Sequence, residues 1–463
     1  MRSKDRIKIF DDRSDIVLLL IPIILFGFFM LFFDVAECGD SFQYEHQFPM
    51  REPIYSLLLQ LLQFVFKDFY RTALGVFQNI LAVICTYWSC RRISKIYGFK
   101  GIFKFISLSL LLIPHLLTPL ASKTHLIITN TIMTEGISIS IYYVWFTILM
   151  GILWDIYNDE GKKRSALVAA LILSLVLSMI RGQMILCMPI LLLTACFKTI
   201  ENKNCDIKSK LKQMLIYCIF ILLTLALRSV LTVAYNSIES GYAVKTVSSG
   251  PMLLANIAYV CDEEDAIYIN DPAKRDVFID IIRQTDREGL SVKYAEGNVI
   301  DRARFHEAGH ETINFDIIDP AMRGLIYTSY SVDESDYLGL MILEDRLCSE
   351  LSKELLPHVI KKYLSNYFVI ASMGFVRSIA IERSVLPFYA LLMYFIAMIG
   401  AVLLLIRDIH NKNALTMLLV IVVICGTVFG TSLVIQCITR YMIYNFAFFY
   451  IALIGVVKNL IKS

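Results

Sequence analysis

Charged residues are scarce in this sequence: Asp, Glu, Lys and Arg make up 18% of its 463 residues, against about a quarter in a typical soluble protein. This scarcity excludes an ordinary soluble fold. The net charge of +3 is too small to indicate a nucleic-acid partner. The eleven cysteines show no paired spacing, so no disulfide is required; Cys261 and Cys348 are one pair that could form outside the membrane.

Long uninterrupted hydrophobic blocks dominate the sequence instead. Apolar residues make up 57% of the chain, and the mean hydropathy is +0.62. These blocks predict an all-α polytopic membrane protein. The first block is too long for a signal-peptide core and no small-residue cleavage site follows it, so we expect a retained helix. No internal repeat is visible, and many transporters have one.

The basic residues indicate the orientation of the chain. The first apolar segment, residues 16–33, follows five of them, which the positive-inside rule places in the cytoplasm: Arg2, Lys4, Arg6, Lys8 and Arg13. Residues 34–52 then form the first outer loop.

The next apolar run, residues 53–66, is shorter than the ~20 residues that span a bilayer. If it crossed, residues 72–89 would run outward and place five basic residues outside, against the charge rule: Arg91, Arg92, Lys95, Lys100 and Lys104. We therefore predict that residues 53–66 form an interfacial or re-entrant helix, which is an amphipathic platform in the first outer loop.

The later apolar segments alternate in direction and complete a set of about ten transmembrane helices with both chain ends in the cytoplasm: residues 105–121, 136–156, 166–180, 184–197, 214–234, 386–406, 414–435 and 441–457. Three parts follow. Residues 1–234 form an N-terminal transmembrane module with a catalytic outer loop at 34–66, residues 235–384 an extracytoplasmic region, and residues 385–463 the C-terminal transmembrane helices.

The extracytoplasmic region is predicted to be a mainly helical cap. Residues 274–287 and 340–364 have helical spacing of apolar side chains. Residues 367–381 are apolar but interrupted by Arg377, and we expect them to dip into the membrane. A second partly inserted piece is expected at residues 125–135.

Acidic residues cluster where the chain leaves the first apolar segment. Because carboxylates are expensive in lipid, acids at such an exit either hold the water boundary or serve a site there. We interpret Asp40, within the sequence GDSFQY at 39–44, as a catalytic base. Asp34 and Glu37 are interpreted as marking the end of the first helix. The alternative for Asp40 is an interfacial acid with no role.

Six further residues lie in the outer loop or at predicted outer helix ends, and we expect them to bind substrate: Tyr44, Arg51, Tyr55, Glu135, Arg181 and Arg440. A guanidinium group matches the oxygens of a phosphate, so the arginines suit a phosphate leaving group. Lys123 and Arg228 are additional cations on this side.

Each of these candidates has an alternative interpretation. Arg181 and Arg440 could snorkel to lipid headgroups, and Glu135 could stabilise a helix N-terminus. Tyr44 and Tyr55 have the composition of interfacial anchors.

The order of these residues resembles the signature of the GT-C glycosyltransferases. In that superfamily an outer-loop Asp and a Tyr precede an Arg/Pro-Pro-x-Tyr-leucine run, and here residues 51–59 read REPIYSLLL. Thr134-Glu135, Arg181 in SMIRGQ and Thr439-Arg440-Tyr441 resemble later parts of the signature. Glu52 departs from it, because the family often has Pro there, and residues 235–384 resemble no known region.

The resemblance implies a membrane glycosyltransferase of the protein mannosyltransferase and aminoarabinose transferase group. Its donor would be a polyprenyl-phosphate sugar, its acceptor a glycan, lipid or protein, and Asp40 its general base. We expect it in the cytoplasmic membrane of a bacterium, in contact with membrane lipid, with the site on the extracytoplasmic side. Some members use a divalent cation at the outer acids, and the sequence leaves this cofactor open.

Two alternative functions need weighing. A lipid-linked-sugar flippase or transporter would place charges near the bilayer middle, whereas here they gather at the outer rim. A zinc metalloprotease is suggested by His306, Glu307 and His310, an H-E-x-x-H pattern. Glu344 or Glu350 would supply its third ligand, but no family signature surrounds them. A solvated polar loop is the alternative for this stretch.

Overall fold

A computed structural model describes residues 13–121, 127–157, 159–203, 205–330, 332–333, 335–380 and 385–462. Across these ranges the chain is helical, with a single isolated β-bridge and no strand. The α-helices are α1 Arg13–Phe32, α2 Ser41–Glu45, α3 Pro53–Phe66, α4 Tyr70–Tyr97, α5 Ile102–Ala121, α6 Glu135–Leu153, α7 Glu160–Ile180, α8 Cys187–Glu201, α9 Ile207–Glu239, α10 Ser249–Ala258, α11 Pro272–Arg287, α12 Val299–Thr312, α13 Asp319–Ser329, α14 Tyr337–Ile379, α15 Leu386–Arg407, α16 Lys412–Ser432, α17 Thr439–Met442 and α18 Phe446–Lys462.

Nine helical stretches among the described residues are long and apolar enough to cross a membrane, and Ile102–Leu116 is a shorter apolar helix. The chain is therefore a multi-pass integral membrane protein, as its composition predicts. The nine stretches are Asp15–Phe32, Pro53–Tyr97, Glu135–Leu153, Gly161–Ile180, Gly182–Glu201, Ile207–Glu239, Leu386–Arg407, Lys412–Ser432 and Thr439–Ile461.

The first part of Pro53–Tyr97 is the separate helix α3, which covers the run predicted to lie in the interface. It ends where Lys67 takes a positive φ of 47°, and a 3₁₀ turn leads into α4. Tyr55 and Leu59, one helical turn apart, are buried against the bundle, whereas Leu61 and Phe64 are exposed. The exposed side of α3 thus carries large apolar side chains that can contact lipid.

Helix α6 is almost completely enclosed by other helices. Trp145 and Phe146 are fully buried, and Phe146 packs on Phe448 of α18 with ring centroids 4.2 Å apart. The indole of Trp145 donates to the Ser174 hydroxyl at 2.8 Å, which satisfies a polar group that has no water available. Because α6 is central, its first residue, Glu135, begins inside the protein.

A second hydrophobic core lies outside these spans and is built from residues between Leu254 and Tyr363. Helix α14, 43 residues long and therefore about 65 Å, runs from this core into the membrane core, to which it contributes Ile370 and Ile379. The sequence separated residues 340–364 from 367–381, but one continuous helix covers both up to Ile379. Cys261 and Cys348 are free, buried thiols of the second core.

The second core contains a pair of carboxyl groups. Burial, and then the neighbouring Asp319, raise the pKa of Glu344 above its ordinary value of 4.5. The folded state therefore holds a proton that the unfolded chain has released, and this contribution to stability is lost as pH rises from about 4.5 through the raised pKa. We expect the Tm of the purified protein to fall over this range.

Glu344→Gln should flatten that decline, because the amide keeps the neutral form at every pH. The control is Glu350→Gln on the same helix, where Lys274 and Arg346 lower the carboxyl pKa. Thermal unfolding from pH 5 to 9 provides the measurement, and an unchanged slope in Glu344→Gln would contradict the assignment.

Candidate active site

The loop that carries Asp40 is held by a buried neighbouring segment. Ala36 forms a parallel bridge with Thr131, and its amide donates to the Asn130 carbonyl at 2.8 Å. The Asn130 amide in turn donates to the carbonyls of Phe29 and Phe33 at the end of α1. The sequence predicts a partly inserted piece at residues 125–135. Of these, residues 127–134 support the Asp40 loop and Glu135 begins α6, while 125 and 126 fall outside the described residues.

The side chain of Asp40 is left available for contacts outside its own helix. Asp40 precedes α2, yet it makes no capping hydrogen bond to that helix. The next residue, Ser41, fixes the turn because its hydroxyl accepts from the Cys38 amide at 2.8 Å and donates to the Ile132 carbonyl at 2.9 Å. The Asp40 carboxylate, 24% exposed, therefore reaches into a cavity.

Two arginines from opposite ends of the sequence bind Asp40. Arg51 lies in the turn before α3, and its Nη2 is 2.7 Å from Oδ1 of Asp40. Arg440 belongs to α17, and its Nη1 is 2.9 Å from Oδ2. Each carboxylate oxygen thus accepts a hydrogen bond from a different guanidinium group, and both hydrogen bonds are charge-assisted.

A second, more deeply buried ion pair adjoins the first. Glu135 is 2% exposed and binds Nη1 of Arg181 at 2.5 Å. The Nε of Arg440 lies 3.8 Å from the same carboxylate, so Arg440 is shared between Asp40 and Glu135. These five groups hold three positive and two negative charges and leave a net charge of +1.

Aromatic rings support the three guanidinium groups. The Tyr441 ring lies 4.5 Å from Arg181 and 5.2 Å from Arg440, and Tyr44 lies 4.9 Å from Arg51. These are cation–π distances. Tyr441 was part of the quoted signature, but we did not predict it as a site residue.

Of the predicted substrate-binding residues, Arg51 and Arg440 line the cavity beside Asp40, whereas Tyr44, Tyr55, Glu135 and Arg181 do not. Tyr55 is fully buried. Its hydroxyl donates to Gln78 at 3.1 Å, and its ring packs edge-on against Tyr44 with centroids 5.1 Å apart. Tyr55 therefore supports the loop from below. Gln43 accepts from Arg51 Nε at 2.7 Å; an uncharged residue of this kind gives no charge signal in a sequence.

The cavity beside Asp40 has a volume of about 350 Å³. Its walls come from three parts of the chain: the Asp40 loop, the cap region between Ser248 and Phe315, and the segment from Ile435 to Tyr441. The cap is joined to the loop by the Val247 amide, which donates to the Pro49 carbonyl at 3.1 Å.

The arginines determine the charge state of Asp40. Burial alone would raise its pKa, but Arg51 and Arg440 outweigh burial and lower the pKa below the ordinary 3.8. Burial would lower the pKa of Arg51, but the neighbouring Tyr44 and Asp40 outweigh it and raise that pKa above its ordinary value. Asp40, Arg51 and Arg440 are consequently charged at neutral pH.

Glu52, which departs from the GT-C signature, forms an ion pair with Arg228 of α9 outside the cavity lining. Its carboxylate also accepts from the Thr246 hydroxyl at 3.1 Å. Burial raises the pKa of Glu52 despite Arg228. Arg228 is thereby placed away from Asp40, and Lys123 lies outside the described residues.

Within the H-E-x-x-H sequence, His306 and Glu307 contact other side chains of the same protein. His306 Nε2 is 2.9 Å from the Asn256 amide oxygen, and Glu307 binds Arg377 at 2.8 Å. Throughout the described ranges no group of three His, Cys, Asp or Glu side chains could hold a metal ion. Of the suggested third ligands, Glu344 lies beside Asp319 and Glu350 binds Lys274. The geometry therefore gives the zinc interpretation no support.

No protein-family model matches this chain, and neither the curated proteins nor the solved structures contain a match.

The buried pair predicts a large cost for removing one partner. Glu135→Gln leaves Arg181 buried without a carboxylate, and breaking such a pair costs about 3–5 kcal/mol of unfolding free energy. The double variant Glu135→Gln/Arg181→Met should recover much of that loss, because the arginine that lost its carboxylate is removed as well. Denaturant unfolding in mixed micelles measures both. Additive losses in the double variant would contradict the direct coupling.

Proposed function

We propose that the chain is a membrane glycosyltransferase that moves a sugar from a polyprenyl-phosphate donor to an acceptor hydroxyl. The observation that carries the proposal is the meeting of Asp40, Arg51 and Arg440 at one cavity, although Arg440 is 400 residues away from Asp40 in the sequence. A carboxylate that can take a proton and guanidinium groups that can neutralise a phosphate are the two elements this transfer needs.

The partial exposure of two arginines supports an anionic ligand. The five ionised groups of the cluster carry three positive and two negative charges, and the exposed Glu311 adds a further carboxylate to the cavity lining. Arg51 and Arg440 are partly exposed in the cavity wall, whereas Arg181 lies deeper beside Glu135. The first two would therefore contact the phosphate, and Arg181 with Glu135 would hold Arg440 in position.

The surroundings support a lipid-linked donor. The cluster lies where α6 begins and where α7 gives way to α8, at the ends of apolar helices. Beside it, α3 exposes Leu61 and Phe64, a surface on which an isoprenoid tail can lie without leaving the bilayer. The extracytoplasmic side of a bacterial cytoplasmic membrane, inferred from the basic residues, remains part of the proposal.

In the proposed reaction the acceptor oxygen attacks the anomeric carbon of the donor sugar. The bond from that carbon to the phosphate oxygen breaks, and its electron pair leaves with the polyprenyl phosphate. Asp40 takes the proton of the acceptor hydroxyl. The phosphate draws on Arg51 and Arg440, so donor binding would weaken their hold on Asp40 and raise its pKa toward that of a useful base.

Asp40→Asn should reduce donor consumption at least ~100-fold, since general base catalysis contributes about 10²–10⁴. The assay follows release of undecaprenyl phosphate from a panel of undecaprenyl-phospho-sugars, with methyl glycosides as acceptors. Glu37→Gln is the matched control, because Glu37 is an acid of the same loop that binds Arg71 rather than lining the cavity. Wild-type turnover by Asp40→Asn would remove Asp40 as the base. Movement of the lipid-linked sugar across liposomes without product would favour the flippase instead.

Arg51→Lys and Arg440→Lys should each weaken binding of undecaprenyl phosphate about tenfold or more, because an ammonium group cannot reproduce the two-pronged guanidinium contact. Arg71→Lys is the control, since Arg71 pairs with Glu37 and Glu45. Native mass spectrometry of the protein in detergent gives the bound fraction. Equal binding by all four proteins would contradict a phosphate site at this cavity.

A further inference from the structure

Three buried side chains, each with one polar atom that lacks a hydrogen-bond partner, line the same cavity as Asp40. They are His310, Asn314 and Gln436, which are 2%, 4% and 4% exposed. His310 Nε2, Asn314 Oδ1 and Gln436 Oε1 have no hydrogen-bond partner among the described residues. A buried acceptor left in this way destabilises the folded protein. Three of them around one cavity indicate a surface built for a ligand that donates hydrogen bonds.

The chemistry of His310 is defined by its surroundings. On the opposite side of the ring, its hydrogen-bond partner is the backbone carbonyl of Met252, and burial lowers the pKa of His310 to about 4. The ring is therefore neutral at physiological pH. A carbonyl can only accept, so the ring proton lies on the Met252 side and Nε2 is an acceptor.

Helix geometry brings the first two acceptors together. His310 is on α12, and Asn314 follows four residues later, one turn along the same face. Asn314 belongs to the π-helical segment Ile313–Ile318 that continues α12. Short π-helical segments are frequent at functional sites, because the wider turn redirects side chains.

His306 and Glu307 of the H-E-x-x-H sequence attach α12 to the segment that carries Gln436 and Arg440. Glu307 binds Arg377, whose Nη1 donates to the Cys437 carbonyl at 2.9 Å. His306 contacts Asn256, whose amide donates to the Val434 carbonyl at 3.0 Å. Two relays thus attach α12 to residues 434–437, and His310 and Gln436 line the same cavity.

We propose that His310, Asn314 and Gln436 form a subsite for the hydroxyl groups of a sugar beside the Asp40–arginine cluster. The proposal rests on the proposed glycosyl transfer. Arg51 and Arg440 suit an anion. His310, Asn314 and Gln436 instead offer uncharged acceptors, and Glu311 in the same lining adds a charged one. A sugar ring presents several hydroxyl donors close together. The hydroxyls belong either to the sugar on the donor or to a sugar acceptor, since both present the same chemistry.

The test measures binding of methyl glycosides to the full-length protein in nanodiscs by saturation-transfer NMR. His310→Phe keeps a ring of similar shape but removes the acceptor, and Gln436→Leu removes the amide. Each should weaken glycoside binding tenfold or more. His310→Gln, which restores an acceptor, should bind close to wild type. His358→Phe is the control, because His358 stacks on Tyr268 at 3.9 Å and does not line the cavity.

Undecaprenyl phosphate binding is measured on the same variants and should be unchanged, which shows that they are folded and that the phosphate site is intact. If His310→Phe does not fold, Gln436→Leu and Asn314→Leu decide the result. Wild-type glycoside affinity in the folded variants, or no binding of any glycoside to the wild type, would overturn the subsite. If the wild-type protein does not bind undecaprenyl phosphate, the proposed function is refuted instead.

A further binding comparison shows whether the hydroxyl groups belong to the donor sugar or to the acceptor. If His310→Phe weakens binding of undecaprenyl-phospho-sugar but not of undecaprenyl phosphate, the subsite holds the donor sugar. If it weakens only glycoside binding to donor-saturated protein, the subsite holds the acceptor. Both results support recognition of sugar hydroxyls by this subsite.

Discussion

Arg440 is the group on which the site depends, because it serves two carboxylates at once. It contacts Asp40 at 2.9 Å and lies 3.8 Å from Glu135. Through these contacts one guanidinium joins the loop that carries Asp40, the start of α6 and the segment before α18. Burying so many charges is favourable only when each has a partner. Arg51 and Arg440 line the cavity, and their guanidinium groups are consequently the ones that an anionic ligand can use.

The cap completes the site as well as covering it. Its own core, between Leu254 and Tyr363, gives α12 a fixed base, and α14 continues from that core into the membrane. Arg377, near the end of α14, then links Glu307 of α12 to the Cys437 carbonyl. The H-E-x-x-H sequence resembles a zinc site. In the described part of the structure its Glu307 instead attaches the cap to the segment that carries Arg440.

Much of this arrangement could be predicted from the sequence, since apolar blocks of about 20 residues indicate spans and acids at a span end are rare enough to be noticed. Asp40 stands out on those grounds, and Arg51, Glu135, Arg181 and Arg440 were predicted from their positions at helix ends and from the resemblance to the GT-C signature. The structure brings all five together. Tyr55 was chosen by pattern alone, and it proves to be a buried packing residue. The group of hydrogen-bond acceptors formed by His310, Asn314 and Gln436 could not be predicted. The sequence does not reveal that atoms of these side chains are buried without a partner, because that depends on the folded surroundings.

The most direct measurement of the central claim is a cryo-electron microscopy structure of the protein in nanodiscs with undecaprenyl phosphate. The account predicts density for the phosphate within hydrogen-bond distance of both Arg51 and Arg440, next to the Asp40 carboxylate, with the isoprenoid tail leaving along α3. Density for the phosphate at another position, with Arg51 and Arg440 still bound only to Asp40 and its neighbours, would contradict it.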